Sequence, residues 1–171
     1  LQDVFLFSGT INSNIKMRSS FSDEEVKEAC YYVNANHFIE QLPLQYNEEV
    51  RERGNNYSSG QRQLLSFART IIHKPSLIIL DEATANIDAE TEVLIQDSLQ
   101  KMMNIGTMIV VAHRLSTIQH ANNIIVMQKG EIIEQGQHQD LLKQKGHYYK
   151  LYKLQYENTD ERRFVNEKNN N

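Results

Sequence analysis

Four consecutive apolar residues, Leu77-Ile78-Ile79-Leu80, run directly into two adjacent carboxylates, Asp81 and Glu82. Such a run, following Pro75, reads as a strand covered on both faces of a parallel sheet, and ligands of these sheets gather at the carboxyl ends of strands. One acid there can hold Mg²⁺ through water while its neighbour polarises an attacking water, the division of labour that phosphoryl transfer requires. A solvated strand end leading into a helix cap accounts for the same two residues without chemistry. His113 follows a second apolar run, Thr107-Met108-Ile109-Val110-Val111, and so falls near the same edge. An imidazole in that place can reach a terminal phosphate or position water. Upstream, residues 55–63, Asn-Asn-Tyr-Ser-Ser-Gly-Gln-Arg-Gln, form a small polar loop that opens a helix. Its unpaired backbone N–H groups and positive helix end suit an anion, with Ser58 and Gln61 able to add side-chain contacts, although ordinary capping explains the same pattern.

What is missing narrows the chemistry further. None of the seven glycines is followed by lysine, so the sequence contains no G-x-x-x-x-G-K-[ST] phosphate loop. The other five histidines, at 37, 73, 120, 138 and 147, lack metal-ligand spacing, and the single cysteine, Cys30, gives no basis for a zinc site or an internal disulfide. Cys30 reads as a small buried apolar residue in a reducing compartment. With 18 basic against 22 acidic residues the net charge is −4, which offers no basic footprint for nucleic acid. The longest strong apolar runs, Leu77–Leu80 and Met108–Ala112, fall far short of the ~20 residues a membrane helix needs. The start, Leu1-Gln2-Asp3-Val4-Phe5, carries neither a basic leader nor an initiating Met, and reads as a chain cut from something longer.

The elements that must position these residues alternate in type. The strand at 76–80 is followed by a helix over Glu90–Met103, with Val93, Leu94, Leu99 and Met102 as its apolar stripe, then by the strand Thr107–Val111. A short helix around Leu115–His120 leads to a third strand, Asn123–Met127. That order is the mark of an α/β layered fold. A turn at 128–131 and a returning strand, Ile132–Glu134, read as an antiparallel hairpin, followed by a helix at Gln139–Lys145. In the front part, Ser22 and Glu25 make a capping box ahead of Val26, Ala29, Cys30, Val33 and Phe38 in helical spacing. A loop from Pro43 to Tyr57 precedes a second helix, Gly60–His73, which carries Leu64, Leu65, Phe67, Ala68, Ile71 and Ile72.

Taken in order, these features resemble the ATP-binding domain of ABC transporters from Leu1 to about Tyr152. Asn56–Gln63 looks like the family's signature motif and Ile78–Ala83 like its Walker B segment. Ala85-Asn86-Ile87-Asp88 looks like the D-loop, Ala112-His113-Arg114 like the switch-histidine loop, and Gln2 with the residues to Ile11 like the Q-loop. Phe7–Ile11, Glu49–Gly54 and His113–Thr117 are similar to the exporter branch, where membrane and ATPase domains share one polypeptide. The resemblance implies a partial P-loop NTPase-like α/β fold, its sheet mostly parallel, with an inserted helical subdomain and a C-terminal β-hairpin. It divides the chain into a Q-loop entry at 1–16, a helical subdomain at 17–73, an α/β core at 74–152 and a disordered tail at 153–171.

It also implies roles. Two such domains pair head to tail, and each ATP lies between the P-loop of one and the signature of the other. Glu82 is then the general base, Asp81 orders Mg²⁺, Gln2 contacts metal and attacking water, and His113 holds the γ-phosphate. Ser58, Ser59, Gly60 and Gln61 act in trans on the partner's nucleotide, with Asp88 at the seam. The Glu49–Gly54 loop meets the transmembrane domain, at the cytoplasmic face of the inner membrane. Tyr57 and Ser59 stand where the signature usually has Leu and Gly, and Arg51 where its loop usually has Gly. An altered signature beside an intact Glu82 points to a heterodimer more than a homodimer. The chain alone is then expected to be inactive, for want of a P-loop. The resemblance leaves two other outcomes open: a non-transport ATPase of the same superfamily, and a stand-alone regulatory chain.

Overall fold

Four helices between Ile11 and Met102 begin on side-chain caps, and those caps decide where the chain turns. In the computed structural model, which describes residues 4–81, 87–112 and 115–155, Thr10 caps α1 (Ile11–Lys16) and Ser22 caps α2 (Asp23–Tyr32). Ser58 caps α4 (Ser59–Ile72) and Asp88 caps α5 (Ala89–Met102). At the first three, the side chain three residues on returns the bond to the cap's own N–H, so two orphan donors are satisfied at once. The short α3 (Asn36–Ile39) has no such side-chain cap. Asp23, Glu24 and Glu25 in the first turn of α2 add favourable charge at its positive end.

Two compact units divide between Val111 and Ala112. The core of the first gathers on α4, whose apolar residues recur at helical spacing and bury Leu64, Leu65, Phe67, Ala68, Ile71 and Ile72 against α1, α2 and α5. The expected helix over 60–73 is thus present, one residue earlier at each end. Cys30 is fully buried in the same core, and burial pushes its thiol up to about 12, which keeps it uncharged. The loop expected at 43–57 contains more order than its composition suggests. Residues 49–50 form a two-residue strand, β2 (Glu49–Val50), that pairs antiparallel with β1 (Gly9–Thr10), and single 3₁₀ turns occupy Gln45–Asn47 and Glu52–Gly54.

Asn14 holds the entry segment to this core. Its side chain, 2% exposed, accepts from Phe7 N at 2.8 Å and donates to Phe7 O at 2.7 Å and Thr10 O at 3.0 Å. Arg69 of α4 donates to Asn14 Oδ1 and to the carbonyls of Asn14 and Phe5, with its guanidinium over the Phe7 ring. A second polar knot joins the turn after α2 to α5. Asn34, in the left-handed region at φ 58°, donates to Asp97, Ser98 and Leu94 O and accepts from Lys101.

Strands β3 (Leu77–Asp81) and β4 (Thr107–Val111) pair in parallel, with Leu77 opposite Thr107 and Asp81 opposite Val111. Complete coverage of both faces, expected from the apolar run, is not what the described residues provide. Ile78 is buried and Leu80 and Met108 pack on the core, while Leu77, Ile79, Ile109 and Val111 are half or more exposed. Alternation along a strand sends those four side chains to the opposite face. The stripe of α5 also differs from expectation: Ile95, Ser98, Leu99 and Met102 are buried, whereas Val93 is 67% exposed.

In the second unit, the short α6 (Leu115–Ile118) lies ahead of a hairpin made by β5 (Ile124–Gln128) and β6 (Glu131–Gly136). Lys129 and Gly130 both have positive φ, the requirement of a tight I′ turn. The expected antiparallel hairpin is present, with β5 paired to β6. Ile124 and Val126 bury against Leu141 of α7 (His138–Gln144) and Tyr148. The Glu134 carboxylate accepts the N–H groups of His147 and Tyr148, capping the helix over 147–155. The disordered tail expected at 153–171 begins inside this helix, which includes residues 153–155, and 156–171 lie outside the described residues.

Replacing Asn14 by Ala strands the Phe7 N–H and removes an acceptor of Arg69. A loss of about 2–4 kcal/mol, read from urea denaturation, is the expected outcome; a loss below about 0.5 kcal/mol contradicts this account of the entry segment.

Candidate functional site

The first turn of α4 presents the residues singled out in the polar loop. Gln61 N donates to Ser58 Oγ at 3.2 Å, and Gln61 Oε1 accepts from Ser58 N at 3.0 Å. This box uses one lone pair of the hydroxyl and the carbonyl end of the amide. The Ser58 O–H and the Gln61 NH₂ are donors of the kind a phosphate oxygen accepts. Helix geometry aims the first-turn N–H groups the same way, and the macrodipole favours negative charge there.

Gly60 is buried because α4 starts against the start of α5. A Cβ on Gly60 would lie 2.3 Å from Thr91 Cγ2 and 3.2 Å from Ile87 Cγ2, well inside contact distance. The packing of the two helix ends therefore requires glycine, independently of any ligand. It also brings Asp88 beside the Ser58–Gln61 turn, since Asp88 caps α5 by accepting from Thr91 N at 2.8 Å. That bond holds the fully exposed Asp88 carboxyl below the usual carboxylate range. A depressed carboxyl makes its cap effective above the unfolded-state pKa, and the contribution is lost as pH falls through the lower folded value.

Asp81 ends β3 opposite Val111 with its side chain exposed to solvent. Ser59 is half-buried at the first position of α4. Gln2, Glu82 and His113 lie outside the described residues, as do Ala85 and Asn86. The site residues that are described thus fall at two places in the first unit: the adjoining starts of α4 and α5, and the carboxyl end of β3.

Asn56 and Tyr57 were legible only as members of a motif, and their contacts are a finding of the structure. The Tyr57 ring is 6% exposed and packs edge-on against Phe38 at 6.1 Å. Its hydroxyl donates to Glu49 O at 3.0 Å, and burial holds the phenol above its ordinary pKa, so the donor persists into alkaline solution. Arg62 Nη1 donates to Tyr57 O at 2.9 Å. An aromatic residue inside a run of small polar ones is the sequence signal for such an anchor. Gly54 is held next to it at φ +66°, where a Cβ would meet Leu6 Cδ1 at 2.7 Å.

Substituting Gly60 by Ala forces Thr91 and the α5 start to shift. The expected cost is about 1–3 kcal/mol in thermal or chemical unfolding, and Thr91→Ala in the same chain should recover part of it by opening the space. A Gly60→Ala protein as stable as the parent contradicts the close approach.

Comparison with known proteins gives one answer. The ABC transporter family matches residues 2–85. A putative ABC transporter ATP-binding protein of Streptococcus pneumoniae, exp8, is 56% identical over 155 residues, covering 91% of this chain and 27% of its own length. The probable multidrug resistance ABC transporter ATP-binding/permease protein YheH of Bacillus subtilis is 49% identical over 156 residues, covering 91% of this chain and 23% of its own. Among solved structures, a bacterial Atm1-family ABC exporter with ATP bound superposes with a TM-score of 0.80 at 39% identity, over 90% of this chain and 27% of that one. The chain spans about a quarter of the length of the curated relatives it matches. A match of this extent gives the mixed α/β elements described above a place in a P-loop NTPase-like fold. The chain belongs to the ABC transporter ATP-binding family.

Proposed function

We propose that this chain is part of the ATP-hydrolysing module of an ABC-type exporter, in which a head-to-tail pair of ATP-binding domains drives movement of a substrate across a membrane. The observation that carries the reading is the junction of α4 and α5, where Ser58–Gln61 and Asp88 share one edge of the first unit. Two adjoining helix starts that carry polar side chains suit the γ-phosphate side of a nucleotide held by another domain. No phosphate loop occurs in these residues, so the β-phosphate must be gripped outside them. The ATP-bound exporter that the fold resembles supports a nucleotide at such a module.

In the mechanism, most of the acceleration comes from positioning and charge stabilisation. Glu82 takes a proton from the attacking water, and Gln2 orients that water. His113 donates to the γ-phosphate, steadying it in line. Ser58 Oγ–H and the first-turn N–H groups of α4 bind, in trans, the γ-phosphate of the nucleotide held by the opposing domain, excluding bulk water as the two faces close. Bound with the nucleotide, Mg²⁺ neutralises phosphate charge. Asp81 fits that ion as a solvent-facing carboxylate on a rigid strand end, because Mg²⁺ takes only one or two carboxylates beside waters and phosphate oxygens.

The opposing domain is an unlike one in this reading. Tyr57 is committed to the interior and Ser59 adds a Cβ at the first turn of α4, so this chain brings a modified signature together with an unmodified Asp81-Glu82 pair. The Glu49–Gly54 loop, with Glu49, Arg51, Glu52 and Arg53 exposed, is the surface for the transmembrane domain, on the cytoplasmic side of the membrane. No helix among the described residues is long and apolar enough to cross a membrane. The ATP-binding/permease relatives support a transmembrane partner.

In the intact transporter, Asp81→Asn should lower Mg²⁺-dependent ATP turnover by more than about tenfold and raise the Mg²⁺ concentration needed for half-maximal rate. An unchanged Mg²⁺ dependence counts against the role of Asp81. Residues 1–171 purified alone should show no steady turnover; a steady rate that Glu82→Gln abolishes would overturn the need for an outside phosphate loop. Robust turnover by a full-length homodimer speaks against the unlike partner.

A further inference from the structure

The segment between β2 and α4 is tied to itself more tightly than a connection of its length needs to be. Two donors converge on one carbonyl: Asn56 Nδ2 at 2.8 Å and the Tyr57 hydroxyl at 3.0 Å, both on Glu49 O. Asn56 Oδ1 in turn accepts Arg51 N at 3.1 Å. Between these points Gly54 N donates to Arg51 O and Tyr57 N to Gly54 O, so the intervening backbone closes as two successive turns. At the far end Arg62, one turn into α4, holds Tyr57 O at 2.9 Å. Glu49 itself belongs to the β1–β2 pair, opposite Thr10.

We propose that Tyr57 is a positioning residue: with the Asn56 amide, its hydroxyl fastens the Glu49–Gly54 loop to the first turn of α4, so that loop and helix start move as one body. The residue after Tyr57 is Ser58, the N-cap of α4, and a shift of Glu49 is passed to that cap through one phenol and one amide. Leucine, the usual residue at this place in the resemblance, has no donor to offer Glu49 O. The functional consequence, a link from the membrane-facing loop to the nucleotide-facing turn, rests on the reading under Proposed function; the mechanical link does not.

Hydrogen–deuterium exchange of the intact protein tests both parts. Tyr57→Phe keeps the ring and deletes the donor, and Asn56→Ala deletes the other prong. Without nucleotide, either substitution should speed exchange about fivefold in the segment 49–54 and in the segment 58–62 together, the size expected for one net hydrogen bond, with Tm nearly unchanged. Faster exchange confined to 49–54, or a general rise in exchange with a matching fall in Tm, overturns the link. With ATP and Mg²⁺ added, the wild-type protein should gain protection in both segments and Tyr57→Phe only in 58–62. Wild-type protection limited to 58–62 overturns the link; protection of neither segment in the wild type refutes the proposed function, and the nucleotide-free comparison then still decides the link.

Discussion

The burial of one amphipathic helix organises the first unit. Helix α4 has six large or small apolar side chains on one side, and α1, α2 and α5 each cover part of that side. Fully burying side chains of this size contributes about 1.5–3 kcal/mol each, far more than any exposed ion pair in the molecule. The Arg51–Glu49 pair at 3.5 Å, two-thirds exposed at both side chains, illustrates the weaker class. Because α4 cannot rotate without exposing Leu64, Leu65 and Phe67, the direction in which its first turn points is set by its core. The polar residues at that turn inherit a fixed orientation at no cost of their own, which is the condition for a preorganised binding surface.

Caps and close packing refine what burial fixes coarsely. Ser58 and Gln61 lock the first turn, Gly60 lets α5 approach, and Asp88 starts α5 beside it. Asn14 and Arg69 do the equivalent for the segment that follows Gln2. Burial lowers the pKa of the Arg69 guanidinium from its usual value, and its three backbone and side-chain acceptors compensate for that desolvation. The same few residues thus serve both the stability of the unit and the placement of its candidate site.

Much of this was legible beforehand, for reasons that can be named. Helices α2 and α4 announced themselves by caps and helical periodicity, and β3 and β4 by β-branched runs whose parallel pairing follows from the intervening α5. The Lys129-Gly130 turn was visible as a hairpin signal. The β1–β2 pair was not, because two residues carry no periodicity and their pairing depends on a contact some forty residues away. Val93 misled because α5 offers more apolar residues than its buried face uses, and only packing selects among them. The exposed face of β3 and β4 could not be read from an apolar run, which has the same composition whether or not both faces are covered. For the site, Asp81, Ser58, Gly60, Gln61 and Asp88 were identifiable by motif, whereas the hydrogen bonds of Asn56 and Tyr57 to Glu49 depend on loop geometry that no local pattern encodes.

The proposed function is tested most directly at Glu82, the base in that reading and the residue that follows Asp81 in the sequence. Glu82→Gln preserves size and removes the base, so ATP binding and turnover of the intact transporter should separate. The account predicts nucleotide affinity close to that of the wild type together with loss of steady-state hydrolysis. A Glu82→Gln transporter that hydrolyses ATP at the wild-type rate would contradict it.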